Sequence, residues 1–406
     1  MSAYLVEAVG LLLRWLHVVA AIAWIGESFY FVALDRGLTP PKVGGGGVSG
    51  ESWSVHGGGF YHKQKYLVAP AVMPEELHWS KWKSYTTWIS GFCLFAMLYL
   101  ASPGLYLIDP AVAAWTPAQA VMLAIAFLPG SWLVYDLLCR LVGFRDALLG
   151  ALVGVYVVAL TYAATQCFSG RAAFLIVGAS MATIMSANVF FVIIPGQKRM
   201  VAALARGEAP DPLPGRRGKQ RSVHNTYFTL PVVFAMLSIH YATAYAHPQS
   251  WLVLVLFMAA GAVIRQFFVV WHSRERAWWL LAVAAAVLLA VFGMMAPREP
   301  AAAKAPAVPV PATPAVPAPA ATPAVATPEA VQAILGKHCI QCHSAKPSMI
   351  ASAPKGLQFD QPDDLRKHAE LIRRQVVALK VMPPGNFTGM TDQERSVVEA
   401  WLASRP

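Results

Sequence analysis

Two cysteines and a histidine near the C-terminus stand at a spacing that could do redox chemistry. In Cys339-Ile340-Gln341-Cys342-His343, the thiols can bond the vinyl groups of a c-type haem and the adjacent imidazole can ligate its iron. Met382, in a Val-Met-Pro-Pro-Gly stretch, is the candidate second axial ligand, because His/Met ligation suits an electron carrier. A redox or zinc Cys-x-x-Cys motif is the alternative, but the sequence lacks a second pair to complete a zinc site. The spacing therefore predicts covalent haem c and electron transfer.

Histidines inside apolar segments form a second group of candidate ligands. His17 lies in the first apolar segment and His240 near the end of the sixth, both in the half of the membrane that is expected to face outside. A polar side chain in a bilayer usually faces the bundle interior or a cofactor, so the two could sandwich a b-type haem. The alternative is that each hydrogen-bonds a neighbouring helix. A cytochrome at the C-terminus favours the haem.

Other reactive side chains are expected at the opposite, cytoplasmic ends of the apolar segments. Three histidines, His78, His224 and His272, fall at predicted helix ends there. They could form a metal, haem or substrate site, or they could be ordinary surface and capping residues. Glu27 and Arg265 lie within apolar segments in the same half of the bilayer. They could bind an anionic substrate, relay protons or pair with each other.

The composition indicates which elements must position these residues. The chain has 406 residues, 57 % of them hydrophobic and 13 % charged, and its mean hydropathy is +0.50. These values exclude an ordinary soluble protein and indicate a polytopic membrane protein. Apolar runs of about 20 residues predict eight spanning helices. They lie near 8–33, 85–104, 117–138, 147–166, 172–194, 226–246, 250–271 and 278–296.

The predicted fold is all-α and has three parts. Residues 1–296 are expected to form a polytopic membrane bundle of about eight transmembrane helices, and 329–406 a small helical domain of the class I cytochrome c type. Between them, 297–328 is rich in Ala and Pro, cannot bury a core, and is predicted to be a semi-rigid tether. The N-terminus lacks the basic region and cleavage site of a signal peptide, so the first helix is expected to be retained as an anchor.

The distribution of Lys and Arg predicts the orientation in the membrane. The connections 34–84, 139–146, 195–225 and 272–277 together carry 17 of these residues, whereas 105–116, 167–171 and 247–249 carry 1. The positive-inside rule puts the first set in the cytoplasm. Eight spans then leave both termini in the periplasm of a bacterial inner membrane, where c-type haem is attached. The net charge of +11 thus reports orientation, and no nucleic-acid partner is expected.

Several stretches of the apolar part are specific in combination. They are Arg14-Trp15-Leu16-His17, Trp24-Ile25-Gly26-Glu27-Ser28, Gly57-Gly58-Gly59-Phe60-Tyr61, Leu77-His78-Trp79-Ser80-Lys81-Trp82, Asn188-Val189-Phe190-Phe191, Pro195-Gly196-Gln197, Arg221-Ser222-Val223-His224-Asn225-Thr226-Tyr227 and Thr229-Leu230-Pro231. With them, residues 1–296 resemble the N-terminal domain of the bacterial membrane-bound urate oxidases, which carry a C-terminal cytochrome c. The order of helix, long Gly/Trp-rich loop, seven helices, tether and cytochrome is also similar.

The resemblance implies oxidation of urate, with water, to 5-hydroxyisourate in purine catabolism. Two electrons would pass through haem to the cytochrome and on to a soluble cytochrome c or a terminal oxidase, without hydrogen peroxide. Urate is a planar monoanion at neutral pH, so its site should offer a cation, amide donors and aromatic faces. The predicted substrate-binding residues are Arg221, Asn225, Tyr227, Trp79, Trp82 and Arg265, the predicted catalytic residues are Glu27, His78 and His224, and the predicted iron ligands are His343, Met382, His17, His240 and His272.

Two other functions stay open from the sequence. One is a non-catalytic membrane electron relay that passes electrons from a quinol or a partner protein to an oxidase. Substrate-dependent reduction of haem c by the purified chain alone separates it from an enzyme. The other is a transporter or channel with an appended redox sensor, against which the scarcity of broken-helix pairs and internal repeats argues.

Overall fold

A computed structural model describes residues 3–42, 47–70, 72–273, 275–296, 326–349 and 353–404. The chain divides into two compact units, residues 1–291 and 292–406. Most of the predicted tether, 297–328, lies outside the described residues, so its conformation stays a prediction.

Helices dominate the first unit. They are α1 (Ala3–Arg36), α2 (Trp82–Phe95), α3 (Pro103–Tyr106), α4 (Pro117–Val142), α5 (Asp146–Cys167), α6 (Gly170–Ala187), α7 (Ile194–Ala205), α8 (Pro212–Ser238), α9 (Ala242–Tyr245), α10 (Ser250–Trp271) and α11 (Trp279–Met295). A π-helical segment, Ala96–Leu100, extends α2, and another, Asn188–Ile193, joins α6 to α7. The second lies inside an otherwise continuous helical run, where single π turns are usually found.

Five helical stretches of the described residues are long and apolar enough to cross a membrane. They are Tyr4–Arg36, Pro117–Val142, Asp146–Cys167, Gly170–Ala205 and Ser250–Trp271. These stretches are consistent with a membrane protein. Each of the eight predicted segments contains helix. However, α2 and α11 are short and α8 begins in a strongly polar stretch, so the count of eight spans stays a prediction.

The bundle is built around α6, which packs against α4, α8 and α5. Phe174, Ile176 and Ile184 of α6 are completely buried. The close contact with α8 depends on Gly178, because a Cβ there would lie 2.9 Å from the Cβ of Ala235. By contrast, α1 packs mainly on α2 and leaves most of its apolar side chains exposed, as expected for a helix covered by lipid.

The all-α prediction is wrong in the long connection after α1. Strands β1 (Val48–His56) and β2 (Gly59–Tyr66) form an antiparallel hairpin there. Its two-residue turn consists of Gly57 and Gly58, at φ 57° and 81°, the left-handed conformation that such tight turns require. The hairpin lies on the end of α1, where Lys63 is 5.2 Å from the ring centre of Tyr30.

The second unit is a small helical body. Its helices are α12 (Pro328–His338), α13 (Pro362–Lys367), α14 (Ala369–Ile372) and α15 (Asp392–Ala403), with short 3-10 turns at Pro354–Gly356 and Pro384–Asn386 and a π segment at Arg373–Ala378. Thr391 and Glu394 form a capping box at the start of α15, as their spacing predicts. Val331, Leu335, Leu365 and Trp401 belong to its buried core.

Candidate functional site

The Arg265 side chain is the most deeply buried charge at the candidate site, with 1 % of its surface exposed. Its guanidinium carbon lies 3.5 Å from the ring centre of Phe29, and Nη2 donates to the Ser28 carbonyl at 3.2 Å. Its buried Nε has no hydrogen-bond partner. Among the described residues, no carboxylate lies within ion-pair distance of Arg265. A buried cation with neither a counter-ion nor a full set of hydrogen bonds is costly, so it marks a place suited to an anion.

Glu27, the residue before Ser28, pairs with a different cation. Its Oε1 accepts a hydrogen bond from Lys83 Nζ at 2.7 Å, and the same ammonium donates to Ser80 Oγ at 3.3 Å. The suggestion that Glu27 and Arg265 pair with each other is therefore wrong. The Glu27–Lys83 pair ties α1 to the first turn of α2 and leaves Arg265 without a carboxylate.

Further residues of the Arg265 site come from α8 and α10. The Tyr227 hydroxyl donates to the amide oxygen of Gln266, the residue after Arg265. His272 caps α10 two turns beyond Arg265. Burial lowers the pKa of His272, and the Arg265 charge lowers it further, so a neutral imidazole is favoured. The Arg265 site thus combines a cation, a phenol, an amide and a neutral imidazole.

A second polar group is buried between α4, the π segment after α6, and α8. Arg221 Nη2 donates to Asp136 Oδ1 at 2.6 Å, and these side chains are 6 % and 9 % exposed. The exposed Arg140 donates to the other oxygen of Asp136, also at 2.6 Å. Arg221 Nη1 reaches Asn188 Oδ1 at 3.4 Å. The carboxylate therefore neutralises a buried arginine within the bundle.

The same polar group continues to His224 and Asn225. Asn188 Nδ2 donates to Asn225 Oδ1 at 3.0 Å and to the Tyr135 hydroxyl at 3.2 Å. The Tyr135 hydroxyl lies 2.7 Å from His224 Nδ1. Hydrogen bonds within the protein thus bring together three residues that were predicted to act on substrate, Arg221, His224 and Asn225.

Sequence reasoning overlooked the residues that organise these two sites. Asp136 could have been found, because a carboxylate in the apolar run 117–138 is a functional or structural signal in a membrane helix. Tyr135 and Asn188 carry no such signal, since phenol and amide groups occur at many positions of helical bundles. Lys83 is one of six Lys and Arg residues in 34–84, and only its contact singles it out.

The remaining predicted substrate and catalytic residues of the first unit lie on exposed or half-exposed positions. His78 is exposed, Trp79 is half-buried, and Trp82 is 67 % exposed with the Lys81 ammonium 5.6 Å from its ring centre. Within the described residues, no hydrogen bond or ring contact joins any of these three to Arg265. Their participation stays a prediction.

His17 and His240 occupy different surroundings. His17 Nδ1 donates to the Thr87 carbonyl at 3.0 Å and lies 3.2 Å from Ser90 Oγ, both on α2. The ring also packs against Gly91, where a Cβ would lie 2.8 Å from its Cε1. His240 is exposed and lies just after α8, which ends at Ser238, so its predicted position inside a helix is wrong. Among described residues no contact joins the two histidines, and the b-type haem stays a prediction.

The second unit places the Cys-x-x-Cys-His residues in a turn directly after α12. The His343 amide donates to the Cys339 carbonyl at 2.8 Å, which closes the turn. His343 Nδ1 donates to the Leu357 carbonyl at 3.0 Å, and this bond leaves Nε2 as the nitrogen with a free lone pair. Burial, with a smaller contribution from the nearby Cys342, raises the pKa of the Cys339 thiol to about 12. Neither cysteine forms a disulfide with another described cysteine.

Met382 lies in a loop that Arg395 fixes from within the unit. Arg395 is 4 % exposed, and its Nη1 donates to the Met382 carbonyl at 2.8 Å and to the Val376 carbonyl. Its Nη2 donates to Asn386 Oδ1 at 3.2 Å. A buried guanidinium from α15 therefore holds the backbone on both sides of the predicted ligand loop.

Metal-binding chemistry of the ordinary kind is not evident in the described part of the chain. No group of three or more His, Cys, Asp or Glu side chains that could hold a metal ion occurs there. The assignment of His272 as a metal ligand therefore stays a prediction.

Comparison with known proteins identifies the first unit. The sequence profile described as urate oxidase N-terminal matches residues 3–296, which include the Arg265 site and the Asp136–Arg221 group. No curated protein and no solved structure matched the chain. Because the match extends over well more than half of the sequence, the chain belongs to the urate oxidase N-terminal family.

Proposed function

We propose that this protein is a membrane-bound urate oxidase coupled to respiration. Family membership indicates a urate-related oxidoreductase. In the proposed reaction the urate monoanion and water give neutral 5-hydroxyisourate, one proton and two electrons. The electrons leave through the C-terminal unit to a soluble cytochrome c or a terminal oxidase. The proposed location is the bacterial inner membrane, with both termini and the C-terminal unit in the periplasm.

The observation that carries the proposal is the buried Arg265 guanidinium, which has no carboxylate partner among the described residues. A planar monoanion can accept hydrogen bonds from the fork of an arginine, and the low dielectric of the bundle strengthens that attraction. The adjacent Phe29 ring supplies an apolar face, and Tyr227 and Gln266 supply polar groups. Binding of the anion would also satisfy Nε of Arg265, which the protein leaves without a partner.

Glu27 is the proposed acceptor of the proton that urate oxidation releases. It directly precedes Ser28, whose carbonyl binds Arg265, and its side chain is 18 % exposed. The hydrogen bond from the Lys83 ammonium fixes the position of this carboxylate beside Ser28, where it would act as a general base. His224 is less suited to this role, because Nδ1 is already engaged with the Tyr135 hydroxyl.

The residues of the second unit fit a covalently attached haem. Cys339 and Cys342 would bond its vinyl groups, and His343 and Met382 would be its axial ligands. The fit rests on His343, whose Nδ1 bond to the Leu357 carbonyl orients the ring as metal-ligating histidines usually are. Such a haem supplies a one-electron acceptor with a potential in the range of electron carriers.

The experiment is an anaerobic visible spectrum of the purified protein before and after addition of urate, with a pyridine haemochrome assay. Urate-dependent appearance of reduced c-type bands is expected. If dithionite reduces the haem but urate does not, the enzyme proposal fails and a passive electron relay replaces it. If no covalent haem is present, the electron-transfer part fails.

Arg265→Gln tests the substrate site in the same assay. Loss of a buried charge from an ion pair typically costs about 2–5 kcal/mol, which is roughly 30-fold to several thousand-fold in affinity, so KM for urate should rise accordingly. Arg265→Lys should recover part of the loss. The control is Arg276→Gln, which removes an exposed arginine stacked on Trp271 and should leave KM unchanged. An unchanged KM in Arg265→Gln would contradict the assignment.

A further inference from the structure

Arg171 is an exception to the distribution of Lys and Arg among the connections of the first unit. It is the single Lys or Arg in the three connections 105–116, 167–171 and 247–249, at the end of the bundle predicted to face the periplasm. Positive charge is normally scarce at that end. An arginine retained there, at the second residue of α6, therefore calls for a structural or binding role.

The surroundings of Arg171 contain phenols and no counter-ion. Its guanidinium carbon lies 5.8 Å from the ring centre of Tyr106 and is close enough to Tyr99 and Tyr245 to act on both electrostatically. The Tyr99 and Tyr106 rings are 5.3 Å apart. Among the residues that the structure describes, no carboxylate lies within ion-pair distance of Arg171. Within the described part of the chain, this cation is therefore not neutralised by a carboxylate.

Two polar atoms at this place are buried without hydrogen bonds. The Tyr99 side chain is only 4 % exposed, and its hydroxyl lies near Arg171 without the distance and alignment of a full hydrogen bond. Nε of Arg171 is likewise buried and without a partner. Nearly all buried polar atoms in proteins are satisfied, and each exception calls for an explanation such as a bound group. Nε of Arg171 can only donate and the Tyr99 hydroxyl can donate as well as accept, so one acceptor placed at both atoms would satisfy them.

The start of α6 adds to the positive potential at this place. Ser169 is the N-cap residue, but its hydroxyl donates to the Tyr106 carbonyl at 2.6 Å and does not cap the first turn. The N-terminus of an 18-residue helix carries a partial positive charge and favours an anion. The backbone of α9 closes one side, since a Cβ on Gly170 would lie 2.2 Å from the Tyr245 carbonyl oxygen.

We propose that Arg171, Tyr99 and the N-terminus of α6 bind an oxyanion, either a phosphate or a carboxylate group. The Arg171 guanidinium and the Tyr99 hydroxyl would donate to its oxygens. Two sources supply this chemistry at a membrane surface. One is the phosphate of a phospholipid headgroup, and the other is the propionate of a non-covalent haem held in the bundle.

The test uses the delipidated, detergent-purified full chain and its Arg171→Gln, Tyr99→Phe and Arg216→Gln variants. Arg216 is a matched control, because it also stacks on an aromatic ring, that of Phe144 at 4.2 Å, but lies in the polar first half of α8. Native mass spectrometry measures binding of short-chain phosphatidylglycerol, and a pyridine haemochrome assay counts b-type haem in each preparation.

Arg171→Gln is expected to weaken lipid binding about tenfold or more, as loss of a charge-assisted pair does, or to lose b-type haem. The first result assigns a phospholipid phosphate and the second a haem propionate. Tyr99→Phe should show the same change to a smaller degree, and it decides the matter if Arg171→Gln does not fold. If neither variant differs from Arg216→Gln in lipid affinity or haem content, the oxyanion site is refuted.

Discussion

The two arginines on Asp136 should contribute very differently to stability, although both lie 2.6 Å from its oxygens. Arg221→Gln leaves a carboxylate that is 9 % exposed without its buried partner, and such a loss costs about 3–5 kcal/mol. The Arg140 side chain is 74 % exposed and pairs one turn away on the same helix. Screening by solvent limits Arg140→Gln to about 0.3–0.5 kcal/mol.

The assay is thermal unfolding of the detergent-purified protein, followed by the fraction that stays monodisperse. By the usual scaling for larger domains, Arg221→Gln should lower Tm by roughly 6–20 °C, and Arg140→Gln by no more than about 2 °C. Asp136→Asn should behave like Arg221→Gln, because it leaves the arginine buried and uncompensated. The double variant Asp136→Asn with Arg221→Gln removes both charges and should cost clearly less than the two single changes added together.

If Arg221→Gln and Arg140→Gln lowered Tm equally, the reasoning would be refuted, since burial would then not govern the strength of the ion pair. A decrease in Tm of the double variant equal to the sum of the two single decreases would also refute it, because Asp136 and Arg221 would then not depend on each other. Either result would make the contacts of Arg221 with Asn188 and the Tyr135 ring the main reason for its burial.

Two further predictions concern the C-terminal unit. Burial alone raises the pKa of Glu394, but hydrogen bonds from Thr391, His338 and Lys337 prevail and lower it to about 2. The stability that these bonds contribute is present above the unfolded pKa of about 4.5 and is lost as the pH falls from there toward 2. Acid unfolding followed by circular dichroism should therefore depend less steeply on pH in Glu394→Gln. Met382→Leu should keep the covalent haem in the haemochrome assay but lose the long-wavelength band of thioether-ligated ferric haem and lower its potential; retention of that band would exclude Met382 as the ligand.

Local patterns in the sequence were sufficient for much of the architecture. Apolar runs predict helix in the right eight places because a spanning segment must satisfy its backbone internally and present apolar side chains to lipid. The start of α15 at Asp392 follows from a capping box between Thr391 and Glu394. The hairpin was not predicted, although three glycines after Ser-Trp-Ser-Val-His are a turn signal.

Helix ends were harder to predict where polar and apolar patterns overlap. α8 begins at Pro212, directly after its N-cap residue Asp211. This start lies well before the apolar run that begins at residue 226. Its polar first half continues the helix because Arg, Lys and Gln are good helix formers. The consequence for the site is direct: His224 lies inside α8, where it meets Tyr135, and His240 lies beyond its end.

The sequence by itself determined the kinds of chemistry available: a Cys-x-x-Cys-His motif, buried ionisable residues in apolar helices, and the uneven distribution of Lys and Arg. Only the tertiary structure decided which charges pair. Glu27 binds Lys83 and not Arg265, whereas Arg221 binds Asp136, 85 residues away in the chain. The physical reason is that motif spacing and helix periodicity act over a few residues, whereas the partner of a buried charge is chosen by the packing of helices distant in sequence.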